Sequence, residues 1–192
     1  MRGNFLGEAE LVRTLPNITR KHRQRAKLGL WRDRRGATAV EFALIAFPFF
    51  GMIMGCIELA IVLFAGVSLD LATTKVAREL RTGVATKPTS AKVFIKKVCA
   101  EMAWLGSDCT GKMQVDVRTF NNFKLVTQAP DVIVAGQFTT MQYNAGTGSQ
   151  IQLVRVYYPW PVFSPFIKPG LGTMNTGEAV LSSKVVFRNE PF

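Results

Sequence analysis

The sequence predicts an α+β protein: a long N-terminal transmembrane helix running into a small domain, where a second helix packs on an antiparallel sheet of about three to four strands. Three observations carry this reading. Residues 37–67 form a predominantly apolar run without Lys or Arg. Apolar residues then recur at helical spacing as far as residue 105, and from Lys112 onward the period changes to two.

The apolar run, ATAVEFALIAFPFFGMIMGCIELAIVLFAGV, is 31 residues long, and a bilayer core requires about 20. It is apolar on every side, whereas a soluble core helix would show a polar face at a period of 3.6. A cleaved secretory signal would be shorter and end at a small-residue site such as A-x-A, which this run lacks.

Charge sets the expected orientation. The net charge of +11 divides into +7 over residues 1–36 (ten cations, three acids), −2 over 37–67 (two acids) and +6 over 68–192 (fourteen cations, eight acids). Arg20, Lys21, Arg23, Arg25, Lys27, Arg32, Arg34 and Arg35 precede the run, and Lys75 is the first cation after it. A basic run abutting an apolar span points to membrane topology rather than to nucleic acid. The expected organisation is therefore a basic cytoplasmic leader (1–36), a single transmembrane helix (37–67) and an exported α+β domain (68–192), which for an inner-membrane protein of a two-membrane bacterium lies in the periplasm.

Residues 1–19 show no persistent period beyond a short helix over Glu8–Leu15. After the span, Leu69, Thr73, Val76 and Leu80 continue the helical spacing until Gly83. A helix from 37 to about 82 would be about 70 Å long at 1.5 Å per residue. Pro88 suits the first turn of a second helix, in which Ala91, Phe94, Val98, Met102 and Leu105 share a face up to Gly106. Met113, Val115 and Val117 then alternate with Gln114, Asp116 and Arg118, as a half-buried strand requires. Ile151–Tyr158 and Ala179–Phe187 read the same way, with NAGTGS (144–149) as a turn. The stretch YYPWPVFSPFIKPGLG (157–172) holds four prolines and five aromatics. Proline argues against a central strand, which predicts an irregular apolar loop that either covers the sheet or touches a partner or the membrane surface.

The segment RDRRGATAVEFAL (32–44) is the most informative. A charged stretch ends at Gly36, an apolar helix follows, and Glu41 is the fifth residue after the glycine. A carboxylate inside an apolar helix is costly unless it is solvated at headgroup level or paired. The junction resembles the cleavage site of prepilin-type peptidases, and TAVEFAL is similar to TadE/TadG-like proteins of the tight-adherence pilus system. The resemblance is specific over about Arg32–Leu59, and the closing VVFRNEPF also looks like endings in that family. It implies Gly36 as the residue before the cut and Ala37 as the new N-terminus. It also implies that Glu41 pairs with the new α-amine of a neighbouring subunit during assembly. Phe42 fits TadE-like members, whereas the major pilin more often has Tyr there. A domain of this size implies a minor or accessory pseudopilin. The implied partners are a prepilin-type peptidase, other pilins or pseudopilins, inner-membrane pilus assembly proteins and membrane lipid, with no nucleic acid and no cofactor.

Gly51 and Gly55 form a small-xxx-small pair that would let another helix approach, against the plainer reading that glycine is common in membrane helices. Glu58, about 31 Å along the helix from Ala37, is expected near the outer headgroups, where a carboxylate is cheap. Cys56 reads as a small packing residue. Cys99 and Cys109 lie in the exported part, where an oxidising compartment favours a disulfide over two free thiols. No catalytic residue is assigned: the one histidine, His22, is in the leader. Glu101, Asp108, Asp116, Asp131 and Glu178 show no pairing visible in sequence, two cysteines without a nearby histidine are too few for zinc, and GTG at 146–148 lacks a phosphate loop's lysine. Two other readings compete: an uncleaved single-pass envelope protein with a periplasmic ligand-binding or scaffolding domain, and a membrane-tethered nucleic-acid binder.

Overall fold

The computed structural model describes residues 36–84, 87–165 and 167–191. The basic leader, the short helix over Glu8–Leu15, His22 and Phe166 lie outside the described residues. Contacts divide the chain into two compact units, residues 1–49 and 50–192. The described part of the first consists of Gly36 and the opening turns of α1, whose side chains from Val40 to Phe49 are nearly all exposed.

Helix α1 spans Ala37–Thr82 and contains Pro48. It ends at Gly83, whose φ of +63° is the left-handed conformation that glycine adopts without steric cost. Within the second unit, Gly55, Glu58, Val62, Ala65, Leu69, Ala72, Val76 and Leu80 are buried at spacings of three and four residues, the pattern of a helix with one face on a core. Packing thus begins at Gly55, well inside the apolar run.

Helix α2 spans Ala91–Glu101 and buries Phe94 and Val98. Ser90 caps it, its hydroxyl accepting from the Val93 N–H at 3.4 Å, so Pro88 precedes the helix rather than opening it. Met102 terminates it, and a 3-10 stretch over Ala103–Asp108, with Gly106 at φ +68°, replaces the expected last turn. A single turn over Cys109–Lys112 leads into the sheet.

Strands β1 (Gln114–Phe120), β4 (Ile151–Trp160) and β5 (Ala179–Arg188) form an antiparallel sheet in the order β1-β4-β5. Between β1 and β4 the chain makes a small hairpin of β2 (Ile133–Val134) and β3 (Gln137–Phe138). Its two turn residues, Ala135 and Gly136, both have positive φ, as a two-residue hairpin turn of matching twist demands. Val154, Val156, Tyr158 and Trp160 of β4 form one core cluster with the buried stripe of α1 and with Phe94, Val98 and Met102. The Ser183 hydroxyl of β5 donates to the Asp70 carboxylate of α1 at 2.7 Å.

Two expectations need correction. β4 is buried along its whole length, not on alternate residues, because the excursion over 129–143 covers the face away from α1: Arg155 Nη1 donates to the Pro130 carbonyl at 2.8 Å, and the Phe138 and Tyr157 rings lie 6.0 Å apart. The proline-rich stretch is also not a loop from its start, since Tyr157–Trp160 belong to the central strand. Pairing with β1 stops at Tyr157, whereas pairing with β5 continues to Trp160. Pro159 therefore sits where β4 has become an edge, the position in a sheet that tolerates a missing N–H.

Candidate functional site

The predicted processing junction lies at the start of α1. Gly36 is exposed, and a Cβ built on it would meet nothing within 4 Å. No packing among the described residues requires a glycine there. Glu41 is exposed and makes no hydrogen bond or ion pair among the described residues, and Phe42 is 70% exposed. Ala37–Thr82 is the one helix among the described residues long and apolar enough to cross a membrane.

Further along α1, the structure brings together residues that sequence reasoning had kept apart. Glu58 is buried rather than solvated. Its carboxylate accepts the backbone N–H groups of Phe163 at 2.5 Å and Ser164 at 2.8 Å. Charge-assisted bonds of this kind offset the cost of burying a carboxylate. They also tie the 161–165 segment to the helix. Gly55 is buried beneath this chain's own Ile167, whose Cδ1 lies 3.2 Å from where a glycine Cβ would be. The close approach predicted for Gly51 and Gly55 is therefore used within the chain at Gly55. Cys56, expected to pack, is exposed.

Cys99 of α2 and Cys109, in the turn before β1, are joined by a disulfide with Cα atoms 5.8 Å apart. Cys109 is fully buried in the core cluster. The bond fastens the end of α2 to the chain entering the sheet.

Four of the five acidic residues singled out in the sequence, Glu101, Asp108, Asp116 and Glu178, have separate partners. Glu101 meets Lys75 at 2.7 Å and Asp108 meets Lys112 at 3.7 Å. Glu178 accepts the Thr176 hydroxyl at 2.7 Å. Asp116, fully buried, accepts Arg155 Nη2 at 2.6 Å, Arg118 Nε at 3.0 Å and the Gln142 N–H at 2.9 Å. A carboxylate so saturated with donors anchors the β1–β4 register. Among the described residues, no three His, Cys, Asp or Glu side chains come together as a metal site would need. Burial raises the hydroxyl pKa of Tyr143, Tyr157 and Tyr158, the neutral form being the one an apolar setting favours.

The Asp116 cluster and the Glu58 clamp were both missed in the sequence. Each had a signal: Arg155 interrupts the apolar run of β4, and Glu58 interrupts the apolar run of α1. Residues 36–78 match the family model described as TadE-like protein, in agreement with a TadE/TadG-like protein of the tight-adherence pilus system. Neither a curated protein nor a solved structure matches the chain.

Proposed function

We propose that this chain is a minor pseudopilin of the tight-adherence pilus system, made as an inner-membrane precursor and trimmed by a prepilin-type peptidase between Gly36 and Ala37. The observation that supports this most directly is the junction itself. Arg34 and Arg35 end at a glycine with no packing duty, the apolar helix begins at the next residue, and Glu41 stands exposed five residues after the glycine. The TadE-like match begins at residue 36, the same boundary.

The chemistry follows from these positions. Glycine leaves the scissile peptide unhindered, and the two arginines hold it at the cytoplasmic membrane edge. Cleavage hydrolyses one peptide bond and frees a cationic α-amine at Ala37. A neighbouring subunit's Glu41 then neutralises that amine, which lowers the cost of both charges within apolar surroundings. The domain beyond α1 lies in the periplasm and works by contact with other pilus components rather than by catalysis.

The test is genetic and biochemical. Loss of the chain should abolish or sharply reduce adhesive pili. Gly36→Arg should accumulate full-length precursor in the membrane and fail to restore them, because a long charged side chain then occupies the site beside the scissile bond. Normal piliation by a Gly36→Arg strain that retains only precursor would refute the processing step.

A further inference from the structure

Glu58 stands 21 residues beyond Ala37, the start of the apolar run. About 20 apolar residues suffice to cross a bilayer's hydrocarbon core. Where α1 spans the membrane from its start, Glu58 marks the level at which it leaves. The Glu58 carboxylate binds the N–H groups of Phe163 and Ser164 at that level, so the segment after β4 is held against the membrane boundary.

What this segment presents is apolar. Phe163 is 78% exposed, Pro165 is exposed, and Ile167 lies on Gly55. Between it and α1 runs a groove of about 420 Å³, walled by Gly51, Met54, Ile57 and Ile61 on one side and by Trp160 and Phe163 on the other. Met54 is 63% and Ile57 49% exposed. In water such a continuous apolar surface would be a liability. At this height it faces lipid.

We propose that residues 161–165 form a second membrane contact, a foot in which Phe163 enters the headgroup–acyl boundary and a phospholipid acyl chain fills the groove. Two features favour phospholipid as the occupant. Gly51 and Met54 precede Glu58 and so fall within the hydrocarbon depth, and the groove's walls are aromatic and aliphatic. Aromatic side chains favour the membrane interface for the same reason that they suit this rim, an apolar body beside a polar boundary. The foot depends on α1 crossing the bilayer and not on pilus assembly, so either reading can fail without the other.

The experiment uses the full chain in phosphatidylethanolamine–phosphatidylglycerol liposomes. A nitroxide is attached to Phe163→Cys in a Cys56→Ser background, and its collisions with oxygen and with a water-soluble nickel chelate are compared. An identical label at exposed Asn121 is the aqueous control. The foot predicts a shift toward oxygen at position 163, nickel accessibility at 121, and loss of the shift when Glu58→Gln removes the carboxylate that holds the segment. Pro165→Cys repeats the test should the Phe163 variant misfold, with an intact Cys99–Cys109 bond as the folding check. A label at 163 or 165 as open to nickel as the one at 121 overturns the proposal. So does a label shielded from both probes that becomes exposed when protein is diluted into excess lipid, the result expected of a groove filled by a second copy.

Discussion

Asp116 and Arg155 are direct partners across β1 and β4, and their side chains meet at 2.6 Å with both withdrawn from solvent. A buried pair of this kind costs desolvation when it forms and costs more when it is broken, because the surviving charge is left without a partner. Asp116→Ala should therefore lower unfolding free energy by about 3–5 kcal/mol, seen as an earlier denaturant midpoint for the full chain in detergent. A double variant with apolar residues of similar volume at 116 and 155 should recover much of that loss. A single variant within 1 kcal/mol of the parent would show that the cluster carries no such weight.

Reducing the Cys99–Cys109 bond should destabilise the domain by roughly 2–3 kcal/mol, the loop-closure contribution of a short closed loop. Cys99→Ser and reductant should act alike and should not add. Because Cys99 and Cys109 are joined, the parent protein purified without reductant should show one titratable thiol, Cys56, whether folded or unfolded, until a reductant is added. Two further reactive thiols in the folded chain would contradict the bond.

The Tyr143 hydroxyl donates to the Pro88 carbonyl at 2.8 Å, and burial raises its pKa above the ordinary value near 10. The folded state holds the proton more tightly than the unfolded state does. Its contribution is therefore complete below pH ~10 and is lost as pH climbs from there toward the folded pKa. Tyr143→Phe should be less stable at neutral pH, by about 0.5–1.5 kcal/mol for one hydrogen bond. Its stability should fall less steeply above pH ~10. The slope should persist in part, since Tyr157 and Tyr158 are raised too. Parallel alkaline limbs for parent and variant would dismiss Tyr143 as a contributor.

Much of this fold was legible because its strongest signals are local. The apolar run and the stripe Leu69, Thr73, Val76 and Leu80 located α1 and its buried face, and Gly83 marked its end. Alternation at Met113–Val117 and Ala179–Phe187 located β1 and β5. What stayed hidden depends on contacts distant in sequence. Alternation implied one solvated face for β4, and nothing local announced that residues 129–143 would cover it and turn Asp116 and Arg155 inward. Pro159 argued against a strand because its rule concerns neighbours on both sides, and only the register reveals that β1 has already ended. Glu58 was expected to be solvated, but it is buried and its partners are backbone amides about a hundred positions away, which side-chain chemistry does not advertise. The proposed processing junction rests on local signals alone: charge, glycine, apolar run and carboxylate all lie within residues 32–44.

Glu41 is expected to serve assembly rather than insertion. Glu41→Ala removes an ionisable group from an apolar helix, so membrane insertion should be equal to or better than that of the parent while pilus yield falls. Membrane fractionation beside pilus counts separates the two effects. Normal pili in Glu41→Ala cells would overturn the proposed pairing with the Ala37 amine.

N-terminal sequencing of the membrane-bound form, from cells that possess a prepilin-type peptidase, tests the central claim most directly. The account predicts a mature chain beginning Ala37-Thr38-Ala39-Val40-Glu41, and its conversion to full-length precursor when the peptidase is inactivated. A membrane form that retains the residues before Gly36 with the peptidase active would contradict it, and would favour an uncleaved single-pass envelope protein instead.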